Sequence, residues 1–373
     1  VSDHAFTFVS ESVSEGHPDK VADLISDSVL DAALAGDPDS RVACETLCKG
    51  GRVIVAGEIT SRAALDLEGL VRGAVRSVGY IDDDEPFSAD RLQVTSLIGL
   101  QAREIGEGVT SAADDPATLG AGDQGMMFGY ASDETETLMP LPIHLAHRIT
   151  EQLARDRHAG RIGWLRPDAK SQVGVRYESG RPVGVRQVLV STQHAPSAGR
   201  REIESYVRDD LLPGVLGPWH APGIEVLVNP AGPFTEGGPS ADCGLTGRKI
   251  IADTYGGMAR HGGGAFSGKD GTKVDRSAAY FCRHVARQLV RRGLARRAEV
   301  QVAYAIGRAR PLSLLVETFG TGDAAEATAF AETLDLRPEA IIKALDLRSP
   351  RFAATTNYGH FGRPGLPWEA DGP

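Results

Sequence analysis

Three stretches of this 373-residue chain scatter lysines, arginines and isolated aspartates among glycines. Trp164-Leu165-Arg166-Pro167-Asp168-Ala169-Lys170 is the first. The second runs from Gly237 to Lys249 and carries Asp242, Arg248 and Lys249. The third, Gly262 to Arg276, holds Lys269, Lys273 and Asp275. Any one of them alone reads as a polar surface loop. Together they offer a backbone able to come close to a ligand, several cations and single carboxylates, the components of a polyphosphate–magnesium site. A fourth stretch, Gly16-His17-Pro18-Asp19-Lys20, opens a helix, because Val21, Leu24, Ile25, Val29, Ala32 and Ala33 follow at helical spacing. Pro18 suits the first turn, and Gly36 followed by Pro38 supplies a stop. Free N–H groups and the helix dipole favour anions at that end. These residue types imply nucleotide or phosphate chemistry without fixing the reaction.

Two glycine runs imitate better-known nucleotide motifs. Gly120-Ala121-Gly122-Asp123-Gln124-Gly125 has the G-x-G-x-x-G spacing, but polar, proline-containing residues precede it where a Rossmann fingerprint needs a hydrophobic strand. Gly263-Gly264-Ala265-Phe266-Ser267-Gly268-Lys269 nearly matches a Walker A loop. Asp270 then stands where a Ser or Thr should reach magnesium, and no strand leads in. Neither dinucleotide binding nor a P-loop ATPase follows.

The elements that must position these groups are legible in part. Cys44 to Leu47, a Lys49-Gly50-Gly51 turn and Arg52 to Thr60 read as a hairpin, with Glu45 and Glu58 on its two arms, either facing one site or simply exposed. Asp19, Asp23, Asp27 and Asp31 recur every four residues. The last three read as a solvated helix face, whereas Asp19 lies at the anion-binding end. Gln101 to Leu119 reads as a long polar loop of the kind that serves as a lid. Short β-like runs at Gln187 to Ser191 and Ile224 to Val228 alternate with helical patterns, and Ser277 to Arg292 reads as a helix. Mixed α/β structure with several separate sheets fits better than a βαβ wheel. No internal repeat is visible.

Length implies two or three domains. A net charge of −10 argues against a nucleic-acid or membrane-surface binder, so a bound polyanion requires a local cationic cluster. No apolar run approaches the roughly 20 residues needed to cross a bilayer, and Val1-Ser2-Asp3-His4 lacks a signal-peptide layout; a cytoplasmic protein is the expectation. Cys44, Cys48, Cys243 and Cys282 lack zinc spacing and read as reduced, mostly buried thiols.

The motifs converge on one family. Gly16 to Lys20, Gly120 to Gly125, Arg166 to Lys170, Asp242 to Lys249, Gly262 to Asp270 and Tyr358-Gly359-His360-Phe361-Gly362-Arg363 resemble signature segments of S-adenosylmethionine synthetases, in family order along nearly the whole chain. The resemblance implies an α/β (α+β type) fold of three similar domains around a pseudo-threefold axis. The expected divisions are 4–104 (N-terminal, with the helix-start motif and potassium site), a lid at 105–119, 120–235 (central) and 236–373 (C-terminal, with the glycine-rich loop). It implies the joining of ATP and L-methionine into a sulfonium product, with tripolyphosphate cleaved to phosphate and pyrophosphate. The thioether nucleophile carries no proton, so the reaction needs alignment and charge neutralisation rather than a general base. The lack of a nucleophile–base signature agrees.

By the same resemblance, His17, Lys170, Lys249 and Lys269 act on the reacting ribose and phosphates, and Arg248 joins the lysines. Asp168, Phe234, Asp242 and Ala265 belong to the nucleotide pocket; Glu58, Gln101, Asp242 and Lys273 belong to the methionine side. Asp19 and Asp275 are Mg2+ ligands and Glu45 a K+ ligand. A homo-oligomer is implied, a dimer with shared active sites that pairs into a tetramer in bacterial forms.

The chain departs from the family pattern twice. Gln101-Ala102-Arg103-Glu104-Ile105 stands where typical members read Gln-Ser-Pro-Asp-Ile, so the lid's gating should differ. Pro233 stands where bacterial relatives often carry arginine, so one nucleotide contact is lost or replaced. The rival readings are a non-catalytic nucleotide-binding relative, which would lack the lysines or Asp19, and a magnesium-dependent tripolyphosphatase.

Overall fold

A computed structural model describes residues 5–82, 85–100, 111–115 and 117–371. Among these residues three separate sheets are present, each with a long helix against one face. The first has the order β1 (Phe6–Val13), β6 (Leu165–Glu178), β7 (Arg181–His194), β8 (Glu225–Val228). The second runs β11 (Ser313–Glu317), β10 (Arg297–Tyr304), β5 (Gly125–Ser132). The third runs β4 (Gln93–Gly99), β3 (Arg52–Thr60), β2 (Arg41–Lys49), β9 (Gly244–Leu245). Helix α1 (Pro18–Gly36) packs on β2, α3 (Leu141–His158) on β6 and β1, and α4 (Val274–Arg291) on β5 and β10; the shorter α2 (Leu67–Val78) packs on α1.

The hairpin is present, with Lys49 opposite Arg52 and Ala43 opposite Glu58. Its alternation places Val42, Cys44, Val53 and Val55 in the core and leaves Glu45 and Glu58 exposed together on the other face. The Gln187 to Ser191 strand extends in both directions to fill β7. Helix α4 begins three residues before the expected Ser277, with Lys273 at its N-cap. The expected loop lies outside the described residues over 101–110, so Gln101 and the lid variant are not described. Its later part is tied down: Ala113 N–H donates to the Gly307 carbonyl (2.8 Å), and Asp114 accepts from Ala309 N–H (2.7 Å). β5 begins at Gly125, so the Gly120 to Gly125 run leads into a strand, the reverse of a Rossmann turn.

One expectation is overturned. Asp23 and Asp27 are fully buried and Asp31 half-buried, so the aspartate stripe is no solvated face. One side of α1 packs Val21, Ile25 and Val29 into the core. The other side is covered by loops, whose backbone N–H groups need acceptors once they leave water. Each aspartate supplies them. Asp19 accepts from Leu245 N–H (3.0 Å), Asp23 from Gly247 (2.8 Å) and Asp27 from Gly268 (2.8 Å). Asp31 accepts from Arg351, Phe352 and Ala353, each at 2.9 Å.

Among the described residues the core falls into two clusters. One lies between the first sheet and α3; the larger one joins the second and third sheets around α1 and α4. Cys44, Cys48 and Cys282 are buried free thiols and Cys243 is half-buried. Burial pushes the Cys44 thiol up to about 12.

Candidate active site

The site is built at the N-terminus of α1. His17 caps the helix, its Nδ1 accepting from Asp19 N–H (3.2 Å), and Pro18 occupies the first turn where no N–H is needed. The loop carrying Lys249 comes this close because Gly244 has no Cβ: one built there would lie 2.0 Å from the Pro18 carbonyl oxygen. Lys249 Nζ then reaches Asp19 Oδ2 at 2.6 Å, and Arg248 Nε stands 3.8 Å from Asp19 Oδ1. Burial alone would raise the Asp19 pKa, but the Lys249 and Leu245 hydrogen bonds outweigh it and hold the carboxyl below its usual range. His17 is buried beside Lys249 and Lys170, and its pKa falls to about 3; it is a neutral imidazole among cations.

Next to α1, the β6–β7 pairing breaks between Leu165 and Ala169, so that Arg166, Pro167 and Asp168 leave the ladder. Pro167 has no N–H to lose, which is why such a bulge tolerates it. The bulge buries Asp168, whose Oδ2 accepts from Gly238 N–H (2.8 Å) while Oδ1 is buried without a partner. Burial pushes this carboxyl up to about 6, against the opposing pull of Gly238 N–H and Lys170. Lys170, opposite Val13, is exposed at the mouth. Exposed Asp242 adds its negative charge beside Asp168.

The glycine-rich loop docks one step further along α1. Asp27 forms a fully buried bidentate pair with Arg276 (2.7 and 2.8 Å) as well as accepting from Gly268. Lys269 Nζ is held by Asp275 Oδ2 at 2.7 Å, with Gly264 against that carboxylate. Ala265 abuts Gly247, so the two cationic loops touch. Asp19 and Asp27 are eight residues apart, so these loops are anchored about 12 Å apart along the helix.

The structure therefore brings His17, Asp19, Asp168, Lys170, Arg248 and Lys249 into one cluster, with Lys269, Asp275 and Ala265 beside it. Lys273 is paired with buried Asp270 (2.6 Å), which also accepts from Val42 N–H (2.7 Å). Phe234 is half-buried on a loop beyond the bulge. Glu45 and Glu58 sit apart, on the outer face of the third sheet.

Supporting residues were missed by sequence reasoning. Lys20, 2% exposed, lies between Asp23 (2.8 Å) and Asp253 (2.7 Å); its ammonium stays charged between two carboxylates that burial pushes upward. Its place in the Gly16 to Lys20 motif was the available signal. Arg276 and Asp270 had none beyond lying in the third cationic stretch.

Among the described residues no group of three or more His, Cys, Asp or Glu side chains converges as a metal cage. Asp19 and Asp275 each offer one carboxylate beside a lysine. This fits magnesium held by single carboxylates plus substrate phosphate oxygens, and not an all-protein site.

Models of three family domains match successive parts of the chain. The S-adenosylmethionine synthetase N-terminal domain matches residues 5–103, the central domain 118–234 and the C-terminal domain 236–370. With these matches covering nearly its whole length, the chain belongs to the S-adenosylmethionine synthetase family.

Proposed function

We propose that the protein joins ATP and L-methionine by attack of the methionine sulfur on C5′ of ATP. The S–C5′ bond forms, the C5′–O bond breaks, and the electron pair leaves with tripolyphosphate. Water then splits tripolyphosphate into phosphate and pyrophosphate. The observation that carries this reading is the gathering of cations at the N-terminus of α1, where Lys249 and Lys170 stand beside buried His17 and Lys249 and Arg248 converge on Asp19. Such a cluster neutralises charge that grows on a leaving oxygen, and a thioether nucleophile, having no proton to lose, asks for no general base.

Asp168 Oδ1, buried and lacking a donor, is the acceptor for a hydroxyl or amine of the nucleoside, with Phe234 and Ala265 as apolar walls. Lys269 meets the far end of the polyphosphate. Asp19 and Asp275 hold magnesium, which when bound offsets phosphate charge. Glu58, Asp242, Lys273 and Gln101 serve methionine.

Glu45 alone is too little to hold potassium; its remaining ligands must come from elsewhere, and a second chain on the same sheet face provides for that. The outer sheet faces leave Leu97 (63% exposed), Leu315 (47%) and Leu227 (42%) uncovered, which supports a homo-oligomer closed by those faces.

The test supplies ATP, methionine, magnesium and potassium. A sulfonium product with phosphate and pyrophosphate is expected, and chelating the magnesium should abolish it. Lys170→Ala and Lys269→Ala should each lower kcat at least about 100-fold. Sulfonium synthesis that survives both substitutions overturns the reading. Phosphate release that needs no methionine and yields no sulfonium supports a tripolyphosphatase instead.

A further inference from the structure

β7 ends at His194, which is tied to Phe234 on the neighbouring loop through both its backbone and its ring. His194 N–H donates to the Phe234 carbonyl (2.9 Å), and Phe234 N–H lies 3.1 Å from His194 Nε2. On the other side of the ring, Nδ1 is 2.9 Å from the Ala195 carbonyl. A carbonyl only accepts, so Nδ1 carries the proton, and Nε2 is left bare to accept from Phe234. The partners thus dictate a neutral imidazole in one tautomer.

Two further side chains complete the clamp. Fully buried Gln193 accepts from Asp168 N–H (3.3 Å) and donates to the Thr235 carbonyl (3.2 Å). Asn229 accepts from Thr192 N–H (2.8 Å) and donates to the Thr192 carbonyl (3.1 Å). The loop between Asn229 and Thr235 has no helix or strand of its own. Behind it lies a cavity of about 220 Å3, lined by His194, Ile203, Val228, Pro233 and Thr235 among others. Side-chain packing therefore does not fix the loop from that side; hydrogen bonds must.

We propose that His194 is a positioning residue for the nucleobase. Its bare Nε2 and backbone N–H hold both polar groups of Phe234, which sets the ring against the base. Gln193 ties the same loop to the backbone of Asp168. This rests on the reading of Phe234 and Asp168 as the nucleotide pocket, and it gives a role to a histidine that touches no substrate.

Steady-state kinetics on the whole enzyme test it. His194→Ala should raise KM for ATP about tenfold, the effect of leaving one backbone donor unsatisfied. KM for methionine and kcat at saturating ATP should stay within about twofold of the parent. Hydrolysis of added tripolyphosphate, which has no base to position, should be unchanged. His194→Gln, with an amide oxygen able to replace Nε2, should restore most of the ATP affinity. Phe234→Ala separates the two readings. Should it raise KM for ATP while His194→Ala does not, the positioning role is overturned and the pocket stands. No effect from Phe234→Ala overturns the pocket itself. Equal loss of the ATP and tripolyphosphate reactions in His194→Ala, or no recovery in His194→Gln, makes the residue a general structural support and overturns the proposal.

Discussion

His147 shows how single residues near this site are tuned by burial. It sits on α3, 7% exposed, with Nδ1 2.7 Å from Ser12 Oγ. Burial, helped by the positive fields of His144, Lys20 and Arg363, lowers its pKa to about 3. An unfolded chain returns the imidazole to about 6.5. Between those values the unfolded state binds a proton that the folded state refuses, so stability is lost as pH falls from about 6.5 towards 3. The slope is about 1.4 kcal/mol per pH unit for one such group. His147→Asn keeps a polar partner for Ser12 and cannot titrate. Urea denaturation across the mildly acidic range should therefore show a shallower acid loss in the variant, by about one proton. Equal slopes would mean that His147 titrates normally in the folded protein.

At the scale of elements, α1 acts as a rail on which the cationic loops are mounted. Its aspartates give their oxygens to loop N–H groups, and the Asp27–Arg276 pair is wholly removed from water. Asp27→Ala would leave a guanidinium without its counter-charge and Gly268 without its acceptor, at a cost of about 3–5 kcal/mol. Asp31→Ala, at a half-buried position holding only N–H groups, should cost less. Chemical denaturation of both variants compares them; equal losses would remove the special place given to Asp27.

Much of this was legible in the sequence. The capped start of α1, the hairpin and the cationic stretches could be read because local rules act on neighbours: proline at a first turn, alternation in a strand, glycine where two segments come close. The role of Asp23 and Asp27 could not. Aspartates at every fourth position have the same spacing whether they face water or a layer of loops, and only the fold brings residues 245 to 268 onto that face. The Asp168 bulge was hidden likewise, since its break in pairing appears only against β7. The pairing of Lys273 with Asp270 was hidden for the same reason, because only the folded loop sets the two side chains against each other.

For the whole molecule, the uncovered apolar side chains on the three sheets carry the oligomer reading. Leu97 shares its face with Glu58, through pairing opposite Ala56. Leu97→Glu should thus weaken association, visible as a shift towards monomer in sedimentation velocity at micromolar protein, with a parallel loss of activity. A variant that sediments like the parent and keeps full activity would move the interface elsewhere.

The three matched domains also lend strands in a circle. β1, from the N-terminal match, is an edge of the sheet built by β6, β7 and β8. β5, from the central match, completes the sheet of β10 and β11. β9, from the C-terminal match, closes the edge of the sheet of β2, β3 and β4. None of the three is therefore a self-sufficient module that could be excised and grafted. A polypeptide cut short after β4 would hold β1 with no sheet to join and β2 with a raw edge, an invitation to aggregate. Two halves made separately and mixed should instead knit together, because each carries the piece that finishes the other. Gene shuffling among relatives should then succeed only when donor strand and acceptor sheet travel as a set.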